Sequence, residues 1–206
     1  MDSYYRLTWA EISLDALQHN ICAFRRVLPQ HMKVMAVVKA DAYGHGSVHV
    51  AREALRQKVD YLGVAILDEA IELRQAGIQA PILVLGYTPP AAVPLAEKYD
   101  VTLAVYSDEV LAAIARLGNS GKQVKVHIKV DTGMGRLGVL SEQAVAFIEK
   151  ALHTPGAAVE GLFTHYACAD EEDKTYTREQ FARFKRIVDT LNEKQITFPY
   201  IHAGNS

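Results

Sequence analysis

Four places in the sequence put chemistry-bearing side chains at the end of a short apolar run. Lys39 closes residues 32–39 and is followed at once by Asp41-Ala42-Tyr43-Gly44-His45-Gly46. Lys129 and Asp131 end the run that begins at Gln123, and His165 follows residues 159–164. His202, Asn205 and Ser206 close the run that begins at Phe198. A lysine at the end of a buried strand is partly desolvated, which lowers its pKa and suits it to Schiff-base chemistry. The competing reading of Lys39 is a side chain whose stem is covered while its ammonium reaches water.

The run over residues 123–130 carries a second signal. Lys125, His127 and Lys129 share one face by the strand period of two, and Val124, Val126, Ile128 and Val130 share the other. In a parallel barrel the outer face meets helices, so the polar face is expected to point inward. A buried Lys129 then needs an anionic partner or a chemical change. Arg136 lies close by in Asp131-Thr132-Gly133-Met134-Gly135-Arg136-Leu137-Gly138, where three glycines allow a ligand to approach the backbone. Its planar fork suits a carboxylate or a phosphate, although a surface arginine fits the composition equally well. His165 and His202 read either as satisfied core histidines or as site residues. His127, His165, His202 and Lys129 together also admit a metal-cluster reading, which no HxH or HExxH spacing supports. Cys22 and Cys168 form no CxxC pair and suggest a reducing compartment.

The elements that must position these groups alternate without a break. Strands are expected at residues 7–12, 32–39, 61–66, 81–85, 101–105, 123–130, 159–164 and 198–203. Helices are expected between them, with Ser13, Ser47, Asp68, Ser107 and Ser141 as caps and a long amphipathic helix over residues 177–194. The first helix shows an apolar stripe of Leu14, Leu17, Ile21, Phe24, Val27 and Leu28. Alternation of this kind means a parallel α/β sheet, either doubly wound or closed as a (β/α)8 barrel. No GxGxxG turn follows the first strand, which weakens the dinucleotide-binding version. Seven strands follow the first helix, so the 206 residues read as a TIM-type barrel cut off after its seventh strand.

A net charge of −2 gives no reason to expect nucleic acid or an anionic membrane as partner. No apolar stretch is long enough to span a bilayer and no signal-peptide core precedes residue 13, so a cytoplasmic location is expected.

The motifs resemble those of one family. Residues 36–46 are similar to the cofactor-lysine signature of bacterial alanine racemases, and residues 129–138 resemble their second signature. Gly161-Leu162-Phe163-Thr164-His165, His202-Ala203-Gly204-Asn205-Ser206 and Thr8-Trp9-Ala10-Glu11 resemble three more, in order along the chain. The resemblance implies a pyridoxal 5'-phosphate (PLP) enzyme with an N-terminal barrel and a C-terminal β domain. It implies a head-to-tail homodimer acting on alanine and supplying D-alanine for peptidoglycan.

By the same resemblance, Lys39 holds the cofactor and is the base for one face of the alanine α-carbon. Tyr43 and Ser206 contact the cofactor phosphate, and Asn205 joins them in the cofactor site. Arg136 contacts the cofactor's phenolic oxygen and the substrate carboxylate. Lys129 is carbamylated in some members and would then position Arg136. His165 lies beside the cofactor ring and orients an arginine that contacts the pyridine nitrogen. That arginine, the opposite-face tyrosine from the partner subunit and the C-terminal domain have no counterpart within these residues. The expectation is therefore a single barrel domain over residues 1–206 that is inactive alone. A serine racemase, a non-catalytic PLP-binding barrel and a metal-dependent hydrolase built on a carbamylated Lys129 are the alternatives.

Overall fold

The computed structural model describes residues 8–117 and 122–205. Its strands are β1 (Met35–Val37), β2 (Tyr61–Val64), β3 (Ile82–Val84), β4 (Thr102–Val105), β5 (Val124–Asp131), β6 (Val139–Leu140), β7 (Ala157–His165) and β8 (Tyr200–Gly204). The helical segments are α1 (Leu14–Val27), α2 (Lys39–Gly44), α3 (Ser47–Arg56), α4 (Leu67–Gln75), α5 (Val93–Lys98), α6 (Asp108–Leu117), α7 (Ala144–Leu152) and α8 (Thr175–Glu193). The sheet runs β1-β2-β3-β4-β5-β7-β8 with every pairing parallel, and the two-residue β6 adds to the end of β5. Strands paired in chain order with helical crossovers generate a barrel wall. Among the described residues β1 and β8 do not pair, so the wall is a half-barrel with two open edges.

Burial follows the two strand faces. Leu62, Val64, Ile82, Val84, Leu103, Val126, Ile128 and Leu162 are almost completely buried, in one cluster with Leu73, Ile114, Ile148 and Leu191 of the helices. The opposite face carries Tyr61, Thr102, His127, Lys129 and Glu160. Tyr61 donates to Glu160 Oε1 at 2.9 Å and Thr102 donates to the same oxygen at 3.2 Å. His127 is fully buried, its Nδ1 lies 3.0 Å from His202 Nε2, and its Nε2 lies 3.6 Å from Glu160 Oε1. The inward polar face expected of β5 is therefore present at His127 and Lys129. Lys125 instead reaches out to pair with Asp100 at 2.8 Å.

Gly161 on β7 makes that packing feasible. A β-carbon there would lie 2.5 Å from the His127 ring. Gly161→Ala is expected to lower stability by about 1–3 kcal/mol through overpacking. Urea unfolding checks this, and an unchanged midpoint would mean that the buried ring yields freely.

Several boundaries differ from the sequence expectation. Residues 8–13 form no strand, and Trp9 is 76% exposed. An alternating segment without a ladder partner gains little from extended structure; Leu7 lies outside the described residues. Ser13 caps α1 as expected, accepting from Ala16 N at 3.1 Å, yet no α1 residue is buried, and Phe24 and Val27 of its stripe are exposed. Arg25 holds the helix down instead, donating to Met32 O at 3.0 Å and pairing with Asp60 at 2.8 Å. Ser141 does not cap α7, which starts three residues later. Its hydroxyl donates to Asp131 O at 3.0 Å. Ser47 and Asp68 lie inside their helices, with Gly46 and Ile66 at the cap positions. Ser107 precedes α6, but its hydroxyl makes no cap hydrogen bond.

Candidate active site at the C-terminal ends of the strands

Lys39 does not end β1. The strand stops at Val37, and Lys39 opens α2. Ala40, Asp41, Ala42 and Tyr43 all have φ between 50° and 58°, so α2 is a left-handed turn. Such a turn brings each Cβ close to the next carbonyl and costs roughly 1–2 kcal/mol per non-glycine residue. Four consecutive residues persist there only because the surroundings over-determine them. Asp41 Oδ1 accepts from Ser47 N at 2.6 Å, and Gly46 N donates to Asp41 O at 2.9 Å. Gly46 itself has φ 87°, a value natural to glycine, and turns the chain into α3. Glu69 on α4 accepts from Ala40 N at 2.7 Å. The effect is to aim Lys39 and Tyr43 together, with Lys39 Nζ 5.7 Å from the centre of the Tyr43 ring.

The glycine-rich segment after β5 is held as tightly. Asp131 accepts from Gly133 N at 2.9 Å and from Gly135 N, while Arg183 of α8 donates to Thr132 O at 2.8 Å. The fully buried Gln180 of α8 receives Ala167 N at 2.9 Å and donates to Thr132 Oγ1 at 3.3 Å and His165 O at 3.4 Å. One side chain thus joins the Arg136 loop to the segment carrying His165.

These supports bring Lys39, Lys129, Arg136 and His165 to one end of the barrel. Lys129 is 5% exposed and donates to the Leu85 carbonyl at 3.4 Å. Burial, reinforced by the Arg136 and Lys39 charges and opposed by Asp131, brings its pKa from the ordinary 10.5 to about 8. Burial first, then Arg136, Lys129 and Lys39, also lowers the pKa of His165. Burial and His127 push His202 down to about 3, so it is neutral at physiological pH. Among the described residues no carboxylate lies within ion-pairing distance of Lys39, Lys129 or Arg136.

A cavity of about 300 Å³ opens between β1 and β8, lined by Lys39, Tyr43, Leu85, His165, His202 and Asn205. Asn205 Nδ2 donates to Asp170 Oδ1 at 2.9 Å. Arg136 is exposed beside the cavity, and Ser206 lies outside the described residues. A group of cations around a cavity with no paired anion suits a ligand bearing phosphate or carboxylate. An amine, a phenol and an amide at its wall fit an aldehyde cofactor that also carries a phosphate. Among the described residues no group of three or more His, Cys, Asp or Glu side chains could hold a metal ion.

The family profile described as alanine racemase, N-terminal domain, matches residues 12–206. The chain belongs to the alanine racemase family. It is 47% identical over 203 residues to alanine racemase 2 of Oceanobacillus iheyensis, an alignment covering 98% of this chain and 52% of that one. The structure of alanine racemase from Clostridium difficile 630 in complex with cycloserine superposes with a TM-score of 0.94 at 42% identity, covering 99% of this chain and 57% of that one. The histidine racemase of Leuconostoc mesenteroides superposes with a TM-score of 0.84 at 31% identity, covering 92% and 50%. The chain spans about half the length of the curated relatives it matches. The half-barrel is thus the fold of the family's N-terminal TIM-barrel domain.

The left-handed turn, Glu69 and Gln180 were not evident from sequence reading. A helix-forming composition such as Lys-Ala-Asp-Ala-Tyr gives no sign of left-handed backbone, and only the two glycines behind it hint at unusual φ. Glu69 reads as an ordinary first-turn acid and Gln180 as an ordinary residue of an amphipathic helix.

Proposed function

We propose that this chain forms the cofactor-bearing part of a PLP-dependent alanine racemase that interconverts L-alanine and D-alanine. The observation that carries the reading is the convergence of Lys39, Lys129, Arg136 and His165 beside a cavity without a paired carboxylate. PLP, when bound, supplies an electron-withdrawing ring that stabilises negative charge on the substrate's α-carbon.

The protein's part is to orient the substrate and move protons. Lys39 would hold the cofactor aldehyde, and its amine would take or return the α-proton on one face. Tyr43 and Asn205, with Ser206 assigned from the sequence motif, hold the phosphate. Arg136 binds the substrate carboxylate and fixes which face of the α-carbon meets Lys39. His165 lines the cavity beside the cofactor ring. Its lowered pKa favours the neutral imidazole, which orients a neighbour through a hydrogen bond without adding charge. Racemisation needs a second base on the opposite face. The proposal assigns it to the partner subunit of a homodimer whose protomers have the full length of the relatives. A cytoplasmic setting belongs to the same proposal; no described helix is long and apolar enough to cross a membrane.

A second reading concerns substrate. The 31% identity to a histidine racemase shows that this barrel also occurs in a protein named for another amino acid. Racemisation of L-alanine, L-serine and L-histidine by a protein of the relatives' length carrying these residues, with and without PLP, decides between the readings. PLP-dependent turnover highest on alanine is expected. PLP-independent turnover would refute the proposal, and preference for another amino acid would move it to the second reading.

Lys129 completes the proposal as a carbamate. With a pKa of about 8, its amine is largely free base just above pH 8 and can add CO2, whereas ordinary lysines stay protonated. The carbamate would give Arg136 a charge-assisted partner. A ¹³C carbamate resonance that grows through pH 8 in labelled bicarbonate and vanishes in Lys129→Ala is expected. Lys129→Ala should lower activity, with partial rescue by acetate. No resonance, together with full activity in the variant, would contradict the carbamate. The unmodified amine has a separate effect. The unfolded chain keeps this proton up to about pH 10.5 while the folded chain releases it near 8, so the group adds stability only as pH rises through that window.

A further inference from the structure

Glu69 stands on α4, outside the cavity, yet its carboxylate joins the ends of two neighbouring strands. One oxygen accepts from Ala40 N at 2.7 Å, the first amide after Lys39. The other accepts from Ala65 N at 2.7 Å and Ile66 N at 3.4 Å, just past β2. Ala40 is also the first of the four residues held at positive φ. The hydrogen bond from its amide therefore fixes the point at which the backbone leaves β1 and enters the left-handed turn. No other described side chain accepts from the backbone of residues 40–43. Other supports of the turn are its own backbone bonds, among them Ala42 N to Val38 O at 2.9 Å and Gly46 N to Asp41 O at 2.9 Å, the His45 ring, whose Nδ1 lies 2.8 Å from Ala42 O, and the Asp41 cap on Ser47.

We propose that Glu69 is a positioning residue for Lys39: its carboxylate clamps the amide of Ala40 to the end of β2 and so holds the left-handed turn that aims the lysine. The identity of Lys39 as cofactor lysine rests on the function proposed above; the clamp itself does not. A neutral or truncated side chain loses the charged acceptor that bridges both strand ends. Glutamine keeps one oxygen but turns an NH2 group toward the other amides. The turn should then open locally while the sheet behind it stays closed.

Amide hydrogen exchange on the cofactor-free 206-residue chain, resolved to single amides, tests this directly. In Glu69→Ala the amides of Ala42 and Gly46 are expected to exchange about tenfold faster or more. The β-sheet amides of Leu62 and Leu85, which bond Pro81 O and Val64 O, should be unchanged. Glu69→Gln should fall between the parent and Glu69→Ala. Adding Ala40→Gly to Glu69→Ala should restore slow exchange at Ala42 and Gly46, because glycine enters the left-handed region without the Cβ clash. A merely structural role would not give that rescue. Unchanged exchange at Ala42 and Gly46 in Glu69→Ala would overturn the proposal, as would equal acceleration at Leu62 and Leu85. In parallel, the share of borohydride-fixed pyridoxyl on Lys39 relative to the other lysines should fall in Glu69→Ala and recover in the double variant. If the parent chain fixes none on Lys39, the cofactor reading fails while the exchange result still decides the clamp.

Discussion

Lys39→Ala, in a protein of the relatives' length that carries these residues, is expected to lower racemisation of L-alanine by about a thousandfold or more. Two functions disappear together. The cofactor loses its covalent anchor, and one face of the α-carbon loses its base, a role commonly worth about 10²–10⁴ in rate. The left-handed turn places the Lys39 amine at the cavity wall, while the Lys129 amine is buried with its Nζ 5.5 Å from the centre of the Phe163 ring. Substitution by lysine's neighbours in sequence cannot replace the missing group. The loss should fall on kcat, because Arg136 and the phosphate contacts remain. Added methylamine should restore a measurable fraction of the rate, since a small amine can enter the vacated space. A rate within tenfold of the parent would contradict the assignment.

The 206-residue chain by itself is expected to racemise alanine at no more than trace level and to self-associate. Among the described residues β1 and β8 each present an unpaired edge, and parallel edges with apolar neighbours recruit other chains. Val37 is 38% and Ile201 45% exposed on those strands, while Phe24 and Val27 leave an uncovered stripe on α1. Burying such side chains is worth about 25 cal/mol per Å² of apolar surface. Light scattering beside a racemase assay with added PLP checks both halves of the statement. A monodisperse monomer turning over at the rate of its full-length relatives would refute it, and would place the second base within these residues.

The architecture was legible because burial and period agree in this chain. The β5 run alternates so that its apolar residues face helices and His127 and Lys129 face inward, and the structure keeps that parity. The helix over residues 177–194 was equally clear, since Phe184, Ile187 and Leu191 recur at helical spacing. Failures occurred where local sequence competes with tertiary partners. The segment at residues 8–12 alternates like a strand but has no ladder partner among the described residues. Ser141 looks like a helix cap but spends its hydroxyl on Asp131 O, because β6 pairs with the end of β5 there. The turn after Lys39 is the deepest miss. Its handedness is held by Glu69 of α4 together with the turn's own backbone bonds, and no residue within the turn announces it. Lys39, Lys129 and His165 stood out by their places after apolar runs, Arg136 by its glycine-rich segment, and all four by the signatures around them; the structure gathers them at one end of the barrel. What could not be read was how Asp41, Asp131, Gln180 and Glu69 hold them in place.

Lys39 is proposed as the lysine that takes the cofactor. Borohydride reduction of PLP-incubated protein, followed by proteolysis and mass mapping of the pyridoxyl group, tests it most directly. One dominant modified peptide, containing Lys39, is expected at near-stoichiometric yield and lost in Lys39→Ala. Label on the Lys129 peptide, or label spread over surface lysines with none on Lys39, would contradict it.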